Sequence, residues 1–140
     1  MSNVYFTIPG MLPSLNQMLK QAQRSPYAYN KLKQDAEATV FLAIRRAGIR
    51  ELAWPIRLEV DVYAPNRRTD CDNLQAGISK FCLDALVSAG CLPDDSWKHW
   101  QMPEPFRYRF YVDKANPRIK VKIFEKKVAE KGLPLFFLTS

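Results

Sequence analysis

Two segments of the chain alternate between apolar and charged residues along their whole length. In segment 56–62 every second residue is a large aliphatic one: Ile56, Leu58, Val60 and Val62. In segment 118–123, Ile119, Val121 and Ile123 alternate with the basic residues Arg118, Lys120 and Lys122. Successive side chains of a β-strand point to opposite faces of the sheet. Each segment therefore predicts a strand with one face packed on a core and the other in solvent.

Two longer segments have the apolar spacing of helices. The first runs over 30–47 and stops at Gly48, and the second begins at Asp72 or Asn73 and ends at Ala89, before Gly90. The second helix is apolar almost all round, which predicts that it is covered on two sides, and a partner subunit is one candidate for the second cover. Its narrow polar face holds Asn73, Gly77, Lys80 and Asp84.

Three shorter segments also have strand-like patterns: 4–8, 97–102 and 107–112. The resulting order is strand, helix, strand, helix and then several strands. That order favours an α+β two-layer sandwich with a mixed sheet. A chain of 140 residues corresponds to one domain, which we expect over residues 1–127, followed by a partly apolar tail over 128–140.

The charge balance limits the class of partner. Twenty-one Lys and Arg against fourteen Asp and Glu give a net charge of +7, which favours a polyanionic partner, nucleic acid before an anionic membrane surface. A basic surface with no such partner is the alternative. Three cysteines without CxxC spacing fit a reducing cytoplasm, and a single histidine argues against a His/Cys zinc cluster. No apolar run is long enough to predict a membrane span.

The segment Asp70-Cys71-Asp72-Asn73 follows the basic residues Arg67 and Arg68. On an extended backbone the two carboxylates would point the same way, and such a pair needs a cation to compensate it. Carboxylate oxygens favour Mg²⁺, and the adjacent arginines fit a phosphate backbone. The alternative is a solvated turn followed by a helix cap. A second acidic turn, Asp94-Asp95, follows the helix, but the sequence does not show that the chain returns to bring the two together.

These motifs resemble a known nuclease family. The run from Arg67 to Leu74, followed by Lys80, Asp84, Gly90 and Asp94-Asp95, resembles the RusA-type Holliday-junction resolvases of phages and prophages. The N-terminal Pro13-Ser14-Leu15-Asn16 matches a segment that the family carries after its first strand. One departure concerns the family's lysine, which stands three residues after the motif asparagine; that position is Ala76 here, and Lys80 lies one helical turn farther along.

The resemblance implies a cytoplasmic, Mg²⁺-dependent endonuclease that resolves four-way DNA junctions, with Mn²⁺ as a plausible substitute. Asp70, Asp72 and Asp95 would hold the metal, with Asp94 as an alternative ligand, and Lys80 would neutralise charge on the scissile phosphate. The residues implied to contact DNA are Arg67, Arg68, Asn16, Asn73, Lys120 and Lys122. A four-way junction has two-fold-related strands to cut, so a symmetric homodimer is expected.

Other interpretations of the same residues stay open. Lys80 also has the spacing of a surface pair with Asp84, and Asn16 is typical of a turn. Lys120 and Lys122 fit the solvent side of a sheet equally well. Trp97, His99 and Trp100 could stack on unpaired bases or pack in the core.

Alternatives for the whole chain also remain. The metal site could serve flaps, forks or another branched DNA, and the displaced lysine is compatible with a dimeric branched-DNA-binding protein that has lost catalysis. A glycosyltransferase, which also uses Asp-x-Asp, is disfavoured because the chain has no room for a nucleotide-sugar domain. Finally, Leu133–Phe136 is similar to the peptides that dock into the bacterial sliding clamp, although packing on its own fold or on a dimer mate explains an apolar tail as well.

Overall fold

The computed structural model describes residues 2–126 of the chain. Its helices are α1 (Leu15–Arg24), α2 (Pro26–Arg46) and α3 (Cys71–Ser88). Its strands are β1 (Ser2–Pro9), β2 (Arg57–Ala64), β3 (Phe106–Val112) and β4 (Arg118–Glu125). The tail over 128–140, with its candidate docking segment Leu133–Phe136, lies outside the described residues. No helix within 2–126 is both long and apolar enough to cross a membrane.

The four strands form one mixed sheet in the order β1-β4-β2-β3. Strand β4 is antiparallel to both of its neighbours, whereas β2 and β3 are parallel. The apolar residues of β2 and β4 are buried against the helices, and the charged residues between them lie on the other side of the sheet. The predicted α+β two-layer sandwich is therefore confirmed, and within residues 2–126 the helices cover only one face of the sheet.

The first helix was not predicted, although its cap is visible in the sequence. Ser14 and Gln17 form a capping box, in which the Ser14 side chain accepts from Gln17 N–H and the Gln17 side chain accepts from Ser14 N–H. Helix α2 begins at Pro26, earlier than predicted, because Ser25 caps it and proline suits the first helical position. Helix α3 agrees with the prediction to within two residues, and Gly90 adopts a positive φ of 75° after it.

The predicted strand at 97–102 is wrong. Trp97–His99 forms one short 3₁₀ turn, and only Trp100 makes a bridge, to Ile56. Burial explains the difference, because Trp97 and Lys98 are both exposed while His99 and Trp100 are both buried. This pairwise pattern matches a turn that inserts two side chains into the core, not a strand with a period of two.

Candidate metal and nucleic-acid site

Asp70 and Asp72 lie at the first turn of α3, and neither carboxylate is used to hold the fold together. Asp70 is the N-cap residue but makes no side-chain cap hydrogen bond. Asp72 accepts only from the adjacent Asn73 N–H, at 3.1 Å. Both side chains are exposed at the positive end of the helix dipole, which favours negative charge. The pair does not lie on an extended backbone, as the two-residue spacing led us to expect, because α3 begins between them at Cys71.

The basic loop before α3 is shaped by a local turn. Asn66 Oδ1 accepts a hydrogen bond of 2.9 Å from Arg68 N–H, an arrangement in which an Asn side chain stabilises a tight turn. Arg67 and Arg68 are both exposed beside Asp70. The loop thus places two exposed arginines directly before Asp70 and the start of α3.

Asp70 lies between two cavities. The first, which we call the α1 cavity, has a volume of about 220 Å³. It is lined by Ser14, Asn16, Gln17, Lys20, Arg68, Thr69, Asp70 and Asn73. Asn16 and Asn73, which the resemblance associates with DNA, therefore share a cavity with Asp70 and Arg68. Helix α1 also contributes Lys20, a cation that lies outside the sequence motifs.

A close approach between the Pro13–Ser14 turn and α3 brings α1 to this site. A Cβ atom added to Gly77 would clash with the carbonyl oxygen of Pro13. Gly77 is buried, although its position on the polar face of α3 predicted exposure. Glycine at this position lets the turn lie directly on the helix, and the first turn of α1 consequently faces the first turn of α3.

The second cavity lies on the other side of Asp70, at the β3 edge of the sheet. This β3 cavity has a volume of about 300 Å³. It is lined by Ala64, Asn66, Arg67, Thr69, Asp70, Cys71, Leu74, Phe110, Tyr111 and Val112. Its walls combine apolar and aromatic side chains with a polar rim, the usual composition of a small-molecule site.

Lys80 lies away from both cavities. It is ten residues beyond Asp70, which corresponds to about 15 Å along a helix. Its ammonium group is 3.6 Å from the Asp84 carboxylate, and both side chains are 40% exposed. The structure thus gives Lys80 the surface pairing that the sequence left open and does not bring it to the acidic pair. Among residues 2–126, the lysine that shares a cavity with Asp70 is Lys20.

Asp94 and Asp95 lie at the opposite end of the domain. Asp94 Oδ1 is 3.1 Å from His99 Nδ1, and the His99 carbonyl accepts from Ile56 N–H just before β2. The Asp70 end of the molecule instead adjoins Ala64, the last residue of β2. Eight residues at about 3.3 Å each separate Ile56 from Ala64, roughly 26 Å in all. A single chain therefore does not bring the two acidic segments together.

The Asp94 carboxylate is engaged in its own loop. Its Oδ1 accepts a 2.8 Å hydrogen bond from Ser96 N–H. The short distance to His99 Nδ1 is outside hydrogen-bonding geometry, so neither ring nitrogen of this buried imidazole has a partner in the described part of the chain. Asp95 is exposed, and no described side-chain hydrogen bond or ion pair involves it.

The acidic side chains can be compared with the ligands that a magnesium ion requires. Within residues 2–126, no three His, Cys, Asp or Glu side chains are close enough to hold a metal. Mg²⁺ in nucleic-acid enzymes is commonly held by one or two carboxylates together with waters and substrate phosphates. Two unengaged carboxylates beside basic residues fit that requirement, and a third carboxylate would have to come from elsewhere.

The uncovered face of the sheet carries the remaining predicted DNA contacts. Lys120 and Lys122 lie there, opposite Asp61 and Glu59 of β2. The Lys120 ammonium is 5.5 Å from the Tyr63 ring centre, and that of Lys122 is 4.8 Å from the Phe124 ring centre. These cations cover aromatic rings on the solvent side of the sheet, so they are compatible both with a phosphate track and with an ordinary solvated face.

The two tryptophans that the sequence suggests for base stacking lie in different environments. Trp100 is 6% exposed and stacks on Phe106, with ring centres 4.9 Å apart, so it belongs to the core. Trp97 is 78% exposed but lies in the Asp94 region, away from Asp70. Two aromatic residues, Phe110 and Tyr111, border a cavity together with Asp70; sequence reasoning missed them because the alternation of β3 predicts only the face of each and not the cavity.

Comparisons with known proteins add no family assignment. No protein-family model matches the chain, and no curated protein sequence matches it significantly.

Proposed function

We propose that the protein is a metal-dependent endonuclease that cuts branched DNA, with four-way junctions as the leading substrate. One observation carries the proposal: the exposed carboxylates of Asp70 and Asp72 lie at a helix start, and Asp70 shares a cavity with Arg68, Lys20 and Asn16. Acidic metal ligands and cationic phosphate ligands at one place are what metal-assisted phosphodiester hydrolysis requires.

The residues have distinct tasks in this scheme. Asp70 and Asp72 would hold Mg²⁺, which supplies an activated water and stabilises the leaving oxygen. Arg67 and Arg68 bind the phosphates that flank the scissile bond, since guanidinium groups match phosphate oxygens in pairs. Asn16 and Asn73 offer amide donors to the same backbone.

Lys20 is the better candidate for the cation that offsets charge on the reacting phosphate. It lines the α1 cavity with Asp70, whereas Lys80 is bound to Asp84 almost three turns farther along α3. The family resemblance expects a lysine near the carboxylates, and α1 supplies one from a different element. Lys20→Ala is expected to lower the cleavage rate about 100-fold, as removal of one charge-stabilising donor does in other enzymes.

A symmetric dimer would complete the acidic cluster. Asp70 precedes α3 and Asp95 follows it, and the helix between them is about 27 Å long. A two-fold axis across the middle of α3 would make two such helices antiparallel, so the start of one would meet the end of the other. Leu83 and Val87 of α3 are only partly buried in the single chain, which leaves apolar surface for that contact. Each of two sites would then combine Asp70 and Asp72 with the partner's Asp95.

The test is cleavage of a labelled synthetic four-way junction with and without Mg²⁺. We expect metal-dependent cuts by the wild-type protein and a loss of at least about 100-fold in Asp70→Asn and Asp72→Asn, with junction binding retained. Linear duplex of the same sequence is the control for structure selectivity, and flap and fork substrates rank the branched alternatives. Comparable cutting of the linear duplex would contradict branch selectivity.

A second candidate is a branched-DNA-binding protein without catalysis. The pairing of Lys80 with Asp84 and the lack of a three-carboxylate cluster within residues 2–126 favour it. Junction binding that persists with no cleavage at any Mg²⁺ or Mn²⁺ concentration would establish this alternative.

A further inference from the structure

The β3 cavity adjoins a stack of side chains on the helix-free face of the sheet. Tyr63 and Tyr111 are directly opposite each other on β2 and β3, and their rings stack at 4.9 Å with an interplanar angle of 17°. On the other neighbour of β2, Arg118 is directly opposite Tyr63, and its guanidinium is 3.9 Å from the Tyr63 ring centre. The three side chains form one continuous stack across three strands, which we call the Arg118–Tyr111 stack.

The far end of this stack is anchored. Arg118 Nη1 donates a 2.7 Å hydrogen bond to Asp113 Oδ2 and a 2.9 Å bond to the Asn116 carbonyl. The guanidinium lowers the pKa of the Asp113 carboxyl below its usual value, so the pair stays charged at neutral pH. Asp113 N–H in turn donates to the carbonyl of Ala64, at the end of β2. Because the stack is already held in place, less conformational entropy is lost when a ligand binds against it.

Tyr111 ends the stack with an exposed ring. Tyr63 covers one side of it, yet the residue remains 43% exposed and borders the β3 cavity together with Asp70 and Arg67. Its neighbours in β3, Phe110 and Val112, point to the opposite face of the sheet and line the cavity with Leu74, and Asn66 and Thr69 offer polar groups at the rim. At this edge of the sheet a flat aromatic surface therefore lies near a guanidinium and a few hydrogen-bonding groups, which correspond to the parts of a nucleotide: a base and its phosphate.

We propose that one unpaired base of the DNA strand at the branch point stacks on the exposed ring of Tyr111, at the edge of the sheet beside the β3 cavity, while Arg67 contacts the phosphate of that nucleotide. The inference rests on the proposed function, because it assumes that DNA reaches Asp70. Lys120 lies next to Tyr63 on the same face of the sheet as the stack and offers a further cation to the DNA backbone.

The test is a double-mutant cycle between protein and DNA in EDTA, where no cleavage complicates binding. Full-length wild-type protein, Tyr111→Ala and Tyr111→Phe are titrated against a labelled four-way junction and against junctions in which each nucleotide flanking the branch is made abasic in turn. Tyr27→Ala, on the 76% exposed tyrosine of α2, is the control for loss of a surface aromatic. Melting curves establish that each variant is folded.

Loss of a stacked base costs about 5- to 150-fold in affinity. We expect Tyr111→Ala to weaken junction binding within that range and Tyr111→Phe to bind like wild type. When the base that stacks on Tyr111 is removed, the affinity of the wild-type protein should fall by a similar factor. The same abasic junction should not bind Tyr111→Ala more weakly than the intact junction does, because that variant already lacks the stacking contact.

Three outcomes would overturn the inference and are distinguishable. If Tyr111→Ala binds every junction within twofold of wild type, no base stacks there, although cleavage at Asp70 can still stand. If Tyr111→Ala shifts the sedimentation coefficient towards the monomer, a second copy of the chain covers the Tyr111 ring instead. If the wild-type protein binds no junction at all, the proposed function itself fails.

Discussion

The two ends of α3 each carry two acidic residues, but the fold uses them differently. At the start of the helix, Asp70 caps without a side-chain hydrogen bond and Asp72 accepts only from its neighbour. Beyond the end of the helix, Asp94 accepts from Ser96 N–H and lies against the buried His99. The carboxylates of Asp70 and Asp72 therefore make few contacts that stabilise the fold. Beyond the other end of α3, Asp94 stabilises its loop, whereas Asp95 is exposed.

This difference separates structural acids from those available to a ligand. A carboxylate that accepts a hydrogen bond within its own loop and lies against a buried side chain is held in place, whereas an exposed carboxylate with at most a bond from the adjacent N–H remains available to a cation. Asp70, Asp72 and Asp95 belong to the second kind. Asp70 and Asp72 lie at the start of α3, and Asp95 lies beyond its end. If all three carboxylates bind one metal ion, the site must therefore combine residues from two copies of the chain.

The largest effect is expected from mixing two inactive variants. Asp70→Asn and Asp95→Asn should each lose at least about 100-fold in junction cleavage. If each site takes Asp70 from one subunit and Asp95 from the other, a mixed dimer keeps one intact site. Half of the dimers are mixed after subunit exchange, so the mixture should regain about one quarter of the wild-type single-strand nicking.

The control for this experiment is a mixture of Asp70→Asn with Asp72→Asn. Both substitutions fall on the same side of the site, and no combination of those subunits restores it. Recovery with Asp70→Asn plus Asp72→Asn, or none with Asp70→Asn plus Asp95→Asn, would contradict the shared site.

A second prediction concerns how α1 is held against the start of α3. Gly77→Ala would press a Cβ into the Pro13 carbonyl and displace the turn that carries Asn16 and, farther on, Lys20. Overpacking costs about 1–3 kcal/mol, and the better helix propensity of alanine returns up to about 1 kcal/mol of it. We expect cleavage to fall about 10- to 100-fold, since small misplacements of binding groups have effects of that size.

Ala76→Gly is the matched control for Gly77→Ala. This exposed neighbour loses about 1 kcal/mol through helix propensity but leaves the turn in place. Urea unfolding measures the stability of both variants. If both lose cleavage equally, the effect of Gly77 is general destabilisation and not displacement of α1.

Much of the fold could be predicted because it follows from local periodicity. The alternation of β2 and β4 gave the buried face of the sheet, and Gly90 marked the end of α3. The strand expected at 97–102 failed because the turn after Asp94 is fixed by tertiary contacts of His99 and Trp100. Helix α1 was overlooked even though the Ser14–Gln17 spacing is a capping signal.

The site was harder to predict because its residues come from distant elements. Arg67, Arg68, Asp70 and Asp72 are consecutive in sequence and could be grouped directly. Lys20 and Tyr111 reach the same place through the approach at Gly77 and through strand register, neither of which one-dimensional spacing reveals. The separation of Asp94 and Asp95 from Asp70 depends on the direction of β2, which the sequence left open.

A third prediction concerns the two acids beyond α3. Asp94→Ala removes the acceptor for Ser96 N–H and the contact with His99, and it should lower the free energy of unfolding by about 1 kcal/mol. Asp95→Ala should stay within about 0.5 kcal/mol of wild type, because the side chain is exposed. The cleavage rate should show the opposite order, with a larger loss in Asp95→Ala than in Asp94→Ala. If the two variants have equal effects on both stability and cleavage, the two aspartates do not have the different roles proposed for them.

The smallest effect is expected at Lys80. Its ion pair with Asp84 joins two side chains that are 40% exposed, and exposed pairs at this helical spacing contribute about 0.3–0.5 kcal/mol. Lys80→Ala should therefore change urea unfolding by no more than that amount and leave junction cleavage within twofold of wild type. Asp84→Ala, which breaks the same pair from the other side, is its control. A drop in cleavage of tenfold or more in Lys80→Ala, with Asp84→Ala unaffected, would contradict this prediction. It would show that Lys80 contacts a phosphate, either across a dimer or along the DNA. Lys80 would then be the cation that offsets charge on the reacting phosphate, in place of Lys20.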